Sequence, residues 1–229
     1  MVFSGRVLVN PVSGERFIFH TTAGDSAGEL LTFDLVVEPH GRVPGGHVHP
    51  AQRESFEVLA GTTRFRKGPR LVTAGPGETD VVPPGTFHKF ANASDEPAVV
   101  RVRVEPALRM ELLFEAVVAL AAEGRTLRSG LPRPLDLALF MREFEAEVAS
   151  PVAPGLVRAV MAPLAWLGLR RGLDQRYHPL AAPIASRRPV PARPGAGRAS
   201  GTHPSPARPA PSRLGSPVPS RRRAAARRG

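Results

Sequence analysis

Cysteine is absent from this 229-residue chain, which excludes disulfides, thiolate metal sites and cysteine nucleophiles. That absence does not by itself decide the compartment. The opening residues Met1-Val2-Phe3-Ser4-Gly5-Arg6 lack a basic stretch followed by an apolar run and a small-residue cleavage site, so cytoplasmic residence is the expectation. No apolar run is long enough to cross a bilayer: the longest, 159–169, falls well short of the ~20 residues required. Acidic residues and lysine are missing from 180 onward, where eleven arginines stand. Of 31 basic and 20 acidic residues in all, removing those eleven leaves 20 of each in 1–179. The part expected to fold is formally neutral, and the net charge of +11 belongs to the C-terminal stretch. A whole-protein argument for nucleic-acid binding fails on that count.

Residues 1–105 read as mainly β. Short runs rich in Val, Phe, Ile and Thr alternate with Gly/Pro/Asn/Asp turns. The pattern predicts strands over 6–9, 16–20, 30–37, 46–49, 55–60, 62–66, 70–74, 80–82, 88–91 and 98–104, with turns such as Asn10-Pro11, Pro44-Gly45-Gly46 and Pro83-Pro84-Gly85 between them. Many short strands with regular turns point to a sandwich or barrel. After Pro106 the period changes. Leu108, Leu112, Leu113, Val117 and Leu120 recur at helical spacing, with Gly124 as a stop. A second helix is expected to open at Pro134, with Asp136 in its first turn, and to carry Leu135, Leu139, Phe140, Phe144 and Val148 on one side. A third is expected over 155–169, kinked or broken at Pro163. The stretch 106–179 is thus a helical extension. Residues 180–229, mostly Pro, Ala, Arg, Ser and Gly, cannot bury enough apolar surface to offset chain entropy and are expected to be disordered. No internal repeat is visible.

Two clusters carry chemistry. In the first, Gly41 is followed after five residues by His47-Val48-His49, after four more by Glu54 and after six more by Gly61. Side chains two apart on a strand face the same way, so His47 and His49 can approach one ion together. Imidazole nitrogens suit Zn, Cu, Fe and Ni, and a carboxylate adds an anionic oxygen ligand. Glu54 shares parity with Phe56 and Val58, which puts a carboxylate and an apolar wall on one strand face. In the second cluster, Gly77 leads after five residues to Pro83, then to Gly85, His88 and Asn92. The Pro83-Pro84-Gly85 turn lets His88 start a fresh strand that could return to the first cluster.

Together the clusters resemble the two motifs of the cupin superfamily, glycine–five–His–x–His–four–Glu–six–Gly and glycine–five–Pro–x–Gly–two–His–three–Asn. Every position of both is filled, and the resemblance covers roughly residues 28–104. It implies a cupin double-stranded β-helix, a jelly-roll barrel of six to eight antiparallel strands, followed here by C-terminal α-helices and the disordered tail. By resemblance, His47, His49, Glu54 and His88 become the ligands of one divalent metal ion (Fe, Mn, Ni, Cu or Zn), with one or two positions left open. Gly41, Gly61, Gly77, Gly85 and Pro83 read as turn residues that shape the barrel, and Asn92 as a turn residue rather than a ligand.

The remaining candidates are Gln52, Phe56, Val58 and Phe90 as a substrate pocket. Gln52 reads either as a contact to water on the metal or as a solvated loop residue. Phe56, Phe65, Phe87 and Phe90 read as barrel filling, with at least one also facing a ligand, because small-ligand pockets are mostly apolar with few polar groups. Arg53 and Glu57 have the opposite parity to Glu54 and should face outward, and His20 and His40 read as surface residues. No Lys, Tyr or second carboxylate is clearly placed in the barrel. Glu54 is the candidate catalytic group: it could leave the metal and act as a base, as proposed for some cupin dioxygenases.

Three functions stay open, since fold does not fix function. The first is a metal-dependent oxidoreductase of the dioxygenase type acting on a small molecule. The second is a metal-dependent cyclase, isomerase or dehydratase. The third is a non-catalytic ligand-binding cupin; a DNA-binding version would pair the barrel with a helix-turn-helix, and no convincing one is present. The helices after the barrel either fold onto it or pair with a second subunit, and by resemblance a homodimer is reasonable. The segment 160–169 with Trp166, followed by Arg170-Arg171, could also lie on a membrane surface.

Overall fold

The computed structural model describes residues 2–180, all within one compact unit. The expectation for the Pro/Arg-rich tail falls on residues outside those described. Nine strands form two antiparallel sheets. The larger has the order β1 (Val7–Val9), β2 (Arg16–Thr21), β3 (Leu31–Val37), β9 (Ala98–Glu105), β4 (Arg53–Ala60), β7 (Thr79–Val82). The smaller has the order β6 (Arg70–Ala74), β5 (Thr63–Lys67), β8 (His88–Asn92). Adjacent positions in space come from distant positions in sequence, as in a jelly roll.

The period-two pattern explains which face is inside. In β4, Glu54, Phe56 and Val58 are buried while Arg53 and Glu57 are exposed or half-exposed, as their parity requires. The register then aligns three rungs across the sheet. Glu54 stands opposite Val104, which stands opposite Leu31; Phe56, Val102 and Phe33 form the next rung, and Val58, Val100 and Leu35 the one after. Glu54 is therefore the single carboxylate at one end of an apolar ladder. The smaller sheet contributes Phe65 opposite Phe90, and Phe56 packs against both with centroids 5.2 and 5.6 Å away.

Residues 46–49 depart from the expected strand. They make two isolated bridges instead, His47 with His88 and Val48 with Ala149. Pro44 and Pro50 flank the segment and supply no N–H, so a continuous ladder cannot extend through it. The bridges are close because Gly46 lacks a side chain: a Cβ there would lie 2.5 Å from the Phe87 ring.

Among the described residues three α-helices and a short 3-10 helix (Leu173–Leu180) follow. α1 (Met110–Ala122) ends where expected, with Gly124 at φ +66° and Arg125 N–H donating to Leu120 O at 2.8 Å, a left-handed C-terminal closure. Its Phe114 packs onto the inner-face rings of Phe17 and Phe33, with centroids 4.6 and 5.0 Å apart. α2 (Pro134–Glu143) starts at the expected proline but stops earlier than the apolar spacing implied. Phe144 is its C-cap, and Val148 lies beyond it on a turn that leads back to the barrel. α3 (Pro154–Arg170) runs through Pro163 without the break that the proline allowed for. Pro163 and Ala159, whose carbonyl loses its intrahelical partner, are both exposed, so water can take the place of the missing N–H.

Candidate metal centre

His47, His49, Glu54 and His88 converge. One potential ligand atom from each lies within 4.8 Å of all the others. The 46–49 segment aims His47 and His49 to one side, β4 delivers Glu54, and the bridge between His47 and His88 (N–H···O 3.1 and 2.9 Å) sets the third ring beside the first. Glu54 Oε2 is 2.8 Å from His88 Nε2 and 3.3 Å from His49 Nε2, and His47 Nε2 is 3.1 Å from His49 Nε2.

The outer nitrogens decide what these atoms can do. Nδ1 of His47 lies 3.3 Å from Gly45 O, that of His49 2.5 Å from Glu147 O, and that of His88 3.1 Å from Thr86 O. A carbonyl only accepts, so each Nδ1 is assigned the proton and each Nε2 keeps its lone pair. Three lone pairs and a carboxylate oxygen then face one point. Two Nε2 atoms at 3.1 Å repel unless a cation or a proton lies between them. Where protons rather than a cation occupy that point, the groups charge one another. Burial, with the charges of His49 and His88, pushes His47 down to about 3, so it stays neutral. Burial alone would raise Glu54, but the charges and hydrogen bonds of His49 and His88 outweigh it and hold the carboxyl well below its usual range. Burial opposes a charge on His49 too, yet the Glu54 carboxylate raises its pKa. The donor set thus fits one divalent ion, three neutral imidazoles and one carboxylate.

The cluster sits in the wall of a cavity of about 340 Å³. Phe56 and Phe90 line it, together with Phe17, Phe33 and Val102. Val58 does not line it; it is buried on the next rung, beside Val100. Gln52 does not line it either. It is buried, and its Nε2 donates to the carbonyls of Pro106 and Ala107 at 3.0 and 3.1 Å, so it ties the metal loop to the start of the helical extension. Asn92 behaves as a turn residue: its Nδ2 donates to the carbonyls of Val37, Glu38 and Glu96, and its Oδ1 accepts from Ser94. Among the described residues no Lys or Arg lines the cavity, and Arg64 and Arg66 are exposed on the outer face of β5.

Three contributions were not read from the sequence. Leu137, Phe140, Met141 and Val148 of the helical extension close the cavity. Glu147 O fixes the orientation of His49 from 98 residues away. A backbone carbonyl leaves no trace in composition or motif, so no signal could have found it. Glu15 is the third, and it corrects the expectation that no second carboxylate is placed in the barrel. It precedes β2 with the parity of Phe17 and Phe19, and that alternation was the available signal. Glu15 lines the cavity, is 2% exposed, and accepts from Ser13 Oγ at 2.6 Å, while its Oε1 has no partner among the described residues.

Burial raises the Glu15 pKa to about 7 although the Ser13 bond opposes it. A carboxyl whose folded pKa exceeds its unfolded one adds stability below the unfolded value, and that stability is lost as pH rises through the folded value. Glu15→Gln keeps the shape and never ionises. Relative to the wild type it should gain stability between about pH 5 and about pH 8, by an amount on the order of 3 kcal/mol at most. Urea unfolding at both pH values measures this. A gap between the two proteins that does not change with pH would show that Glu15 ionises at the same pH folded and unfolded, so that burial does not raise its pKa.

Comparison with known proteins adds the family. The Cupin domain profile matches residues 33–104, the stretch from β3 to β9 that carries all four converging residues. No curated protein matches the chain. Among solved structures the chain is similar to the cupin domain of Schizosaccharomyces pombe Cnp3 (11% identity over 40% of this chain and 64% of that one, TM-score 0.37). It is also similar to an uncharacterized double-stranded β-helix protein from Klebsiella pneumoniae (20% identity, 44% and 84%, TM-score 0.38). A third is a cupin-superfamily sugar phosphate isomerase from Silicibacter pomeroyi (23% identity, 41% and 60%, TM-score 0.36). The chain thus spans under two thirds of the Schizosaccharomyces pombe and Silicibacter pomeroyi structures. Residues 33–104 of this chain are a cupin domain.

Proposed function

We propose that the chain is a metal-dependent cupin enzyme of the dioxygenase type, acting on a small, flat, apolar molecule that carries a chelating pair of oxygens, such as an enol or catechol-like compound. The observation that carries this reading is the meeting of His47, His49, Glu54 and His88 in the wall of an otherwise apolar cavity. A divalent ion held by those four would supply Lewis acidity and, if redox-active, electron transfer at that wall. The protein's own share is positioning. Phe17, Phe33, Phe56 and Phe90 hold a flat body and exclude water. Glu54 Oε2, placed between His49 and His88, is the atom that would take the proton of an enol. Glu15, also in the cavity wall, can donate to or accept from a polar group on the ligand.

Glu15 also favours a second reading, a cyclase, isomerase or dehydratase that needs no oxygen. A buried carboxyl that ionises near 7 exchanges protons well at neutral pH, and such a reaction would use it as the acid or base. A sugar-phosphate substrate is disfavoured because no Lys or Arg among the described residues lines the cavity. The test is to load the protein with a redox-active metal and titrate it with enolic chelators and with sugar nucleotides, while following the metal spectrum and oxygen uptake. The expected result is a spectral change with enols only, with oxygen consumed on turnover. Turnover without oxygen uptake would move the protein to the second reading. Tight binding of sugar nucleotides with no response to enols would sink both.

A further inference from the structure

Helix α3 is apolar nearly all the way round and contains no acidic residue. Such a helix is normally covered on every side. In this fold one side is covered. Ala165 and Gly168 are buried, Met161 and Leu164 are half-buried, and a Cβ at Gly168 would lie 2.8 Å from Leu139 of α2. The opposite side carries Leu156 at 60%, Val160 at 52% and Trp166 at 56% exposure, with Ala159 and Pro163 exposed between them. Their three- and four-residue spacing makes them one stripe. Arg170 falls on the same line, its guanidinium carbon 4.5 Å from the centroid of the Trp166 ring, and Arg171 follows it. No helix among the described residues is long and apolar enough to cross a membrane, so any lipid contact is at the surface.

We infer that this stripe of α3 docks the protein on an anionic lipid bilayer, with Leu156, Val160 and Trp166 sunk into the headgroup boundary and Arg170 and Arg171 on the headgroup charges. Charge selects this occupant. A second copy laid against the stripe would have to receive Arg170 and Arg171, and residues 154–171 offer no carboxylate to do so. An anionic bilayer offers one at every headgroup. An indole with an apolar body and one polar N–H suits that boundary, and a guanidinium stacked beside it can reach outward while its stem stays in contact with apolar surface. The sequence beyond 180 adds eleven arginines and no acidic residue, which raises attraction to the same surface. This inference is independent of the metal centre, whose residues lie on other elements.

Trp166 is the only tryptophan, so the chain carries its own reporter. The experiment uses the full chain with vesicles of phosphatidylcholine alone or with added phosphatidylserine. Expected are a blue shift of Trp166 emission and quenching by acyl-chain-brominated lipid with the anionic vesicles only. Leu156→Glu combined with Val160→Glu, both at exposed positions, should weaken vesicle binding by about tenfold or more. Unfolding by circular dichroism should be little changed. Three results would overturn the inference. The first is binding to anionic vesicles without any change at Trp166, which would place the attachment on the C-terminal arginines. The second is Trp166 emission already blue-shifted without lipid, which would mean that another part of the chain covers the stripe. The third is a vesicle-free dimer that the double variant converts to monomer, which would make the stripe an interface between copies.

Discussion

Purified His88→Ala is expected to hold almost no metal, against about one divalent ion per wild-type chain, while its barrel stays folded. His88 stands on β8, its Nε2 is 2.8 Å from Glu54 Oε2, and its backbone makes both hydrogen bonds of the bridge to His47. Removing the ring takes away a donor nitrogen and leaves the bridge, since the bridge is made by main-chain atoms. The loss should therefore show as metal content rather than as unfolding. Elemental analysis of the variant beside His47→Ala measures it, and His40→Ala is the control because His40 is exposed and paired with Asp95. Full occupancy in both His88→Ala and His47→Ala would remove the assignment of the site. A variant that unfolds can still be read through His47→Ala, whose ring is less buried and whose loss opens less of the core.

The second large effect is expected at a residue that touches neither metal ligand nor cavity. Arg109 immediately precedes α1 and binds the segment after α2. Its main-chain N–H and its Nε donate to Glu147 Oε1 at 3.1 and 3.4 Å, its Nη1 donates to Glu143 at 2.8 Å, and its guanidinium lies 5.3 Å from the Phe144 ring centroid. Glu147 is 2% exposed, and its Oε2 has no hydrogen-bond partner among the described residues. Arg109→Ala leaves that carboxylate buried without its cation, which should cost on the order of 3 kcal/mol. The same segment carries the carbonyl that holds His49 Nδ1, so the metal should also bind about 10–100-fold more weakly, the usual effect of disturbing an outer partner of a metal-binding histidine. Denaturant unfolding and competition with a chelator read the two effects separately. Loss of stability with unchanged metal affinity would show that the 144–149 turn keeps its place without Arg109.

Much of the barrel was legible in the sequence because strands such as β4, β5, β8 and β9 alternate cleanly. Glu54, Phe56 and Val58 announce their shared face by parity alone, and the turn prolines and glycines bound the strands. The four converging residues were legible for a different reason, the spacing of two motifs. What was hidden follows from long-range packing. Residues 46–49 look like a strand by composition, yet they bridge to two different elements. The helical periodicity of 106–148 shows an apolar face without saying what it covers. Pro163 carries a strong local signal that solvent exposure overrides. Gln52 sits next to the metal loop in sequence, yet its amide nitrogen is taken up by the carbonyls of Pro106 and Ala107, and nothing in its neighbours marks that choice.

The closing of the cavity by Leu137, Phe140, Met141 and Val148 separates two inheritances within one site. The atoms that can hold an ion lie between His47 and His88, in the segment shared with the rest of the superfamily, while much of the surface that would meet a ligand lies after residue 104. Substitutions in the α2 turn can therefore change which molecule fits without touching the ion. Two proteins with identical motifs and different extensions need not share a substrate, and selectivity in this chain is to be sought by varying Phe140 and Val148 rather than the histidines.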